Sequence, residues 1–251
     1  LYAYTTAIAA AGTHQLKVCR TGSWDAVGSQ GASGGRSVNT DNLDFATTAA
    51  NQLVHFLLNA NTGRIRVQLP PKINELRADQ TGTDNDEYFE LAGEAGASLE
   101  GLTYIVIGDG TGGSGVVETV ASLSGAAVPA DGLFFAAEST FSASLGIPDL
   151  VFSGNVLNFE NSDNVTHMLV SGFTGALNQD LDTNDDGILD ITPWTFQEDC
   201  VALLYGGGGS ELVYCATTVG PDGSFAPGHV YLCPDTGWHI GLFSVIGGMD
   251  T

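Results

Sequence analysis

Short runs of apolar and β-branched residues recur along this chain, and Gly, Asp, Asn or Ser closes each of them. Tyr104-Ile105-Val106-Ile107, Leu133-Phe134-Phe135-Ala136, Met168-Leu169-Val170 and Val201-Ala202-Leu203-Leu204 are examples. Runs this short, bounded by turn residues, read as strands and not as helices. Many short strands joined by tight turns must bury sheet faces against one another, so the expected class is all-β. The 34 glycines suit that number of turns, and a hydrophobic share of 43% is enough for a core. No stretch of 18 apolar residues exists to cross a membrane as a helix.

Charge divides the chain sharply. All seven Lys and Arg (Lys17, Arg20, Arg36, Arg64, Arg66, Lys72, Arg77) precede residue 78, beside four acids, so residues 1–77 carry +3. Residues 78–251 hold the other 25 of the 29 acids and no Lys or Arg, which gives −25. Such a segment must balance its carboxylates with metal cations, solvent ions or a basic partner. The net charge of −22 argues against nucleic acid, because a phosphate binder gains its affinity from cations. The chain starts at Leu1 and not at Met, which reads as the product of signal-peptide removal and fits an extracellular or cell-surface setting.

Residues 1–12 (LYAYTTAIAAAG) are uncharged. As a strand they place Tyr2, Tyr4, Thr6 and Ile8 on one face. A terminal strand needs a sheet edge, either in its own chain or, as assembly strand, in a neighbouring subunit. Residues 22–42 read as a long Gly/Ser/Asn/Asp loop. Residues 53–70 read as a hairpin: apolar Leu53 to Leu58, a turn at Asn61-Thr62-Gly63, then Ile65 and Val67 alternating with Arg64 and Arg66. Pro70-Pro71 marks the best boundary. The expected organisation is an N-terminal extension over 1–72 and a larger domain over 73–251.

Ile73-Asn74-Glu75-Leu76, Glu87-Tyr88-Phe89-Glu90-Leu91 and Leu99-Glu100-Gly101-Leu102-Thr103-Tyr104-Ile105-Val106 resemble the opening of bacterial lamin-tail-like domains. Asn161 to Thr166 and Asp199-Cys200-Val201-Ala202-Leu203 resemble that family's central strands. The resemblance runs over about residues 73–251 and leaves 1–72 unmatched. It implies an immunoglobulin-like β-sandwich, here with an N-terminal β extension, and a binding or structural role in a secreted protein. It implies no active site.

The sharpest local motif is Asp180-Leu181-Asp182-Thr183-Asn184-Asp185-Asp186-Gly187-Ile188-Leu189-Asp190. With Asp182 as position 1 of a calcium loop, Asn184, Asp186, the Ile188 carbonyl and Asp190 take positions 3, 5, 7 and 9. Gly187 then falls at position 6, where the loop turns sharply. Position 12 is Pro193, which cannot ligate through its side chain, so Asp180, Glu198 or water must supply the remaining oxygen. The expected cofactor is therefore Ca2+. A second acidic group, Asp79 with Asp84, Asn85, Asp86 and Glu87, fits no loop template and reads as a solvated loop.

Four cysteines allow three pairings. A hairpin over 200–215, turning at Gly206 to Gly209, would oppose Cys200 and Cys215 at disulfide reach. That leaves Cys19 with Cys233. The five histidines (14, 55, 167, 229, 239) show no ligand spacing, and Gly108 to Gly115 lacks the Lys of a phosphate loop. No nucleophile motif is present, so no enzyme is expected. The reading is a secreted, calcium-stabilised structural protein that self-assembles as a homo-oligomer or polymer through its N-terminal strand. The alternative is an accessory module that binds a glycan or surface.

Overall fold

The computed structural model describes residues 2–19, 25–27, 37–38, 42–110, 113–142, 146–154, 156–206 and 212–242. They form two compact units, Leu1–Pro70 and Pro71–Thr251, divided at the two prolines. The described residues hold strands and turns, and no helix.

The first unit contains β1 (Tyr2–Ile8), β2 (Gly12–Leu16), β3 (Val18–Cys19), β4 (Asp25–Val27), β5 (Ser37–Val38), β6 (Leu43–Thr47), β7 (Gln52–Asn59) and β8 (Arg64–Gln68). They pair as β1-β7-β8, β2-β6 and β3-β4-β5. The expected hairpin is present, with Leu58 opposite Ile65 and Phe56 opposite Val67. Its turn is stabilised locally. The Asn59 side chain accepts the amides of Asn61 and Thr62, and Gly63, at φ 73°, returns its N–H to the Asn59 carbonyl at 2.7 Å. Val54, Leu57 and Ile65 are buried in this unit. The expected loop over 22–42 lies mostly outside the described residues. Its described parts, Asp25–Val27 and Ser37–Val38, are short strands.

The second unit contains β9 (Lys72–Arg77), β10 (Tyr88–Ala92), β11 (Leu102–Gly110), β12 (Gly113–Ser122), β13 (Leu133–Glu138), β14 (Leu150–Phe152), β15 (Val165–Ser171), β16 (Phe196–Leu203), β17 (Thr218–Val219), β18 (His229–Cys233) and β19 (Gly237–Ile240). A six-stranded sheet runs β14-β13-β10-β9-β18-β19, and a five-stranded sheet runs β12-β11-β15-β16-β17. The two face each other as a β-sandwich. Period-two alternation sorts their side chains. Ile73, Leu76, Phe89, Leu91, Phe134 and Val230 from the first sheet pack with Leu102, Tyr104, Val106, Leu169, Val201 and Leu203 from the second. Phe89 stacks on Tyr104 across the core, with ring centroids 3.9 Å apart and planes within 3°.

The five-stranded sheet is apolar on both faces, which explains why β15 is buried at every position. Its outer face carries Ile105, Ile107, Val117, Met168 and Val170, and Leu181 closes it, with Leu189, Trp194 and Tyr214 packed at the margin. The chain between β15 and β16 is therefore a cover, and the acidic motif sits within it. The glycine-rich stretch from Gly108 to Gly115 is the β11–β12 hairpin, with Gly110 opposite Gly113.

The segment after β16 departs from the expected hairpin. β17 runs parallel to β16, with Ala202 beside Thr218 and Leu203 beside Val219. Cys200 and Cys215 are nevertheless bonded, with Cα atoms 5.9 Å apart. Among the described residues that follow β16 none pairs antiparallel with it, and the disulfide ties Cys215 to β16. Gly207 to Gly209, the expected turn, lie outside the described residues. The expected Cys19–Cys233 bond is not made: exposed Cys19 and half-buried Cys233 are free thiols. Cys19 ends β3 in one unit and Cys233 ends β18 in the other, and each unit closes its sheets without that bond.

Candidate functional site

Residues 178–181 run along the outer edge of β12. The Val117 amide donates to the Gln179 carbonyl at 2.9 Å, and the amides of Asn178 and Leu181 return bonds to Val117 and Gly115. β12 comes close enough here that a Cβ on Gly115 (φ 91°) would lie 2.6 Å from Asp182 Cβ. From this anchor the chain turns over Asp182 to Asp190. Asp185 and Gly187 take left-handed backbone, at φ 53° and 84°, and glycine meets that demand without strain at the second position. The loop closes where the Asp190 and Ile191 amides both reach the Leu181 carbonyl, at 2.8 and 3.1 Å.

Asp182 is the centre of this turn. It is fully buried. Its carboxylate accepts the Gly187 amide at 2.9 Å, the Asp186 amide at 3.2 Å and the Tyr214 hydroxyl at 2.8 Å. Burial pushes its pKa up, but the Tyr214 hydroxyl and the amides of Gly187, Asp186 and Asp185 together hold it below the usual value. The same contact, with burial as the larger cause, raises the Tyr214 phenol. Tyr214 precedes the disulfide, so Cys200–Cys215 fixes the strap that reaches Asp182. A shallow groove separates Gly187, Ile188 and Leu189 from Val213 to Ala216.

The other expected ligands share this turn. Asn184 Nδ2 donates to Asp186 at 3.2 Å, and Asp186 accepts the Ile188 amide at 2.9 Å. Asp190 accepts from the Thr183 amide and hydroxyl, Asp180 accepts the Asp182 amide, and Ser114 donates its amide to Asp185. Ile188 points its side chain to solvent, and Glu198 is buried on β16. Among the described residues no group of three or more His, Cys, Asp or Glu side chains is gathered to hold a metal ion. The loop's oxygens instead satisfy its own amides. Carboxylate, amide and carbonyl oxygens are nonetheless the donor types that a hard cation takes.

The second acidic group is only in part the solvated loop expected: Asp84 and Asn85 are exposed, whereas Asp86 and Glu87 are buried. Asn161 donates to Asp84 at 3.1 Å. Asp86 accepts the Ser142 amide. Buried Glu87 accepts the Phe159 amide at 2.9 Å, and its own amide donates to Glu138. Burial first, then Glu138, Asp84 and Asp79, push Glu87 up to about 9; burial and Asp79 push Asp84 up to about 6. Glu118 lies over Gly108, where a Cβ would be 2.5 Å from its Oε2. Burial, with Asp163, Glu160 and Asp109, raises it to about 8. His167 is fully buried against Tyr104, whose Oη is 2.9 Å from His167 Nδ1, and burial lowers it to about 3.

These shifts set a pH dependence. Glu87 and Glu118 ionise near 4.5 in the unfolded chain but at about 9 and 8 when folded. Their contribution to stability is full below about 4.5 and is lost as pH rises through those values. His167 acts oppositely: its contribution is full above about 6.5 and lost as pH falls towards 3. Two groups outweigh one, so stability should rise from pH 9 down to near 4.5 and fall below that. Urea midpoints across this range in cation-free buffer check it, and a maximum at pH 8 would show that these groups do not govern the profile.

At the other end of the chain, β1 pairs with β7 of its own unit, from Tyr2 opposite Leu58 to Ile8 opposite Gln52. Of the two edges that a terminal strand could take, its own chain's or a neighbour's, β1 takes the one in its own chain. Tyr2 and Tyr4 are 67% and 63% exposed, Ile8 is half-buried, and Tyr4 lies 6.4 Å from Phe56. The chain pattern gave no sign of Tyr214, Ser114, Glu118 or Glu138 as partners of these sites. Each is brought there by pairing between distant segments. No family model, curated protein or solved structure matches the chain.

Proposed function

We propose that this chain is a secreted structural protein of lamin-tail-like type, a subunit that self-assembles through the sheet of its first unit and whose sandwich is stabilised by calcium at the Asp180–Asp190 loop. The observation that carries the reading is β1. It is seven residues long, has no charged residue, pairs on one side only among the described residues, and exposes Tyr2 and Tyr4. A flat, uncharged edge of this kind is a template for another chain, and monomeric proteins usually block such edges with lysine, proline or a bulge. The disulfide supports an oxidising compartment. The charge partition supports cation binding, because Lys72, one of the last two cations, lies 3.6 Å from Asp199 and Arg77 is buried.

Light scattering and electron microscopy of the purified chain are expected to show species larger than the monomer. A single monomeric species at all concentrations would refute assembly. Calcium is tested apart from it. At a free concentration a hundredfold above its dissociation constant, a ligand that binds only the folded state adds about 2.7 kcal/mol. For a unit of this size that raises the melting temperature by roughly 5–10 °C over a chelator. Identical melting in chelator and in millimolar calcium would mean that the loop is a self-satisfied turn.

A further inference from the structure

We infer that β8 of one copy receives β1 of the next, so that the three-stranded sheet of the first unit continues from molecule to molecule. The inference rests on the self-assembly proposed above and names the surfaces that meet. Both strands are antiparallel to β7, so they run parallel to each other. Both are outer strands, and neither has a second partner among the described residues. A repeated copy in the same orientation therefore presents β1 to β8 as a parallel pair. Three strands spaced about 4.8 Å apart give a rise of about 14 Å per copy. Natural twist of about 20–25° per strand turns each copy by about 60–75°, so successive copies are not superposed.

The faces match in this pairing. Tyr2 and Tyr4 share a face with Leu58, Phe56, Ile65 and Val67 through the two registers. In the continued sheet a neighbour's exposed tyrosines extend that apolar row past Ile65 and Val67. On the opposite face, the exposed Arg64 and Arg66 meet Ala3, Thr5 and Ala7, which are small and uncharged. Charge also selects among the ways two copies can join. Pairing β8 with β8 would set arginines against arginines, which is unfavourable directly across a sheet. Pairing β1 with β1 carries no such penalty, but it closes a dimer and leaves both β8 edges open. The β8–β1 contact is heterologous and repeats without closing, which makes a filament.

Short-reach thiol cross-linking of the full chain tests this, in a background with Cys19→Ser and Cys233→Ser. One preparation carries Ala3→Cys on β1, a second carries Arg66→Cys on β8, and a third carries both. Cross-linked dimers are expected only when the first two are mixed, and a ladder of higher species from the third. Dimers from Ala3→Cys alone or Arg66→Cys alone would overturn the β8–β1 contact while leaving self-assembly intact. A chain that stays monomeric without cross-linker overturns the assembly reading itself. As a second variant, Ala3→Lys with Ala7→Lys places cations opposite Arg64 and Arg66 at exposed positions. It should raise the concentration needed for assembly at least tenfold with unchanged circular dichroism. Unchanged assembly would also overturn the contact.

Discussion

Replacing Asp182 by alanine is expected to lower the melting temperature of the sandwich by roughly 6–12 °C. The substitution strands the Tyr214 hydroxyl and the Gly187 and Asp186 amides, which all donate to this buried carboxylate. At about 1 kcal/mol for each lost hydrogen bond the loss is about 3 kcal/mol, and each kcal/mol is worth about 2–4 °C in a domain of this size. Calcium gives the same variant a second readout. If the loop binds the ion, Asp182→Ala also removes the difference in melting between calcium and chelator. A calcium response that survives the substitution would place the ion elsewhere in the acidic unit. A variant that melts with the parent would show that Asp182 does not organise the turn.

The largest loss is expected from Tyr104→Ala. The ring is fully buried and stacked on Phe89 across the two sheets, and its hydroxyl is the neighbour of His167 Nδ1. Truncating a buried aromatic costs about 3–5 kcal/mol through lost contact and the cavity left behind, which is roughly 10 °C or more here. Tyr104→Phe keeps the stack and removes only the hydroxyl, so its loss should be about 1–3 kcal/mol. Tyr2→Ala, at a residue 67% exposed, serves as the control and should change stability by less than about 0.5 kcal/mol. Urea denaturation of the three variants ranks them. A Tyr104→Ala loss no larger than that of Tyr2→Ala would mean that the two sheets do not meet at this stack.

Both effects bear on the assembly reading, because a subunit must keep its fold while its edges engage neighbours. The contacts proposed for assembly lie on β1 and β8 of the first unit, whereas Asp182 and Tyr104 belong to the second. Stability and assembly are therefore separable by mutation. The edge lysines should weaken assembly without lowering the melting temperature of the sandwich, and the two substitutions above should do the reverse at temperatures where the sandwich stays folded.

What the sequence determined by itself is local. Alternation along β11 separates Leu102, Tyr104 and Val106 from Ile105 and Ile107, because successive side chains of a strand point to opposite faces. Asn59 and Gly63 close the β7–β8 hairpin through bonds within five residues. Gly187 falls where the acidic turn needs left-handed backbone. The two prolines divide the units because they interrupt strand pairing. Other features were decided only when distant strands met. The Cys200–Cys215 bond was expected from a hairpin, yet the strand that follows Cys215 and pairs with β16 runs parallel to it. Tyr214 reaches Asp182 over 32 residues, and Glu138 reaches Glu87 over 51. β1 finds a partner 44 to 56 residues away in its own chain. A strand carries its own alternation but not the identity of its neighbour, because its edge offers the same row of amides and carbonyls to any chain. Which chain fills it depends on the whole set of faces that must be buried at once, and that is a property of the tertiary structure.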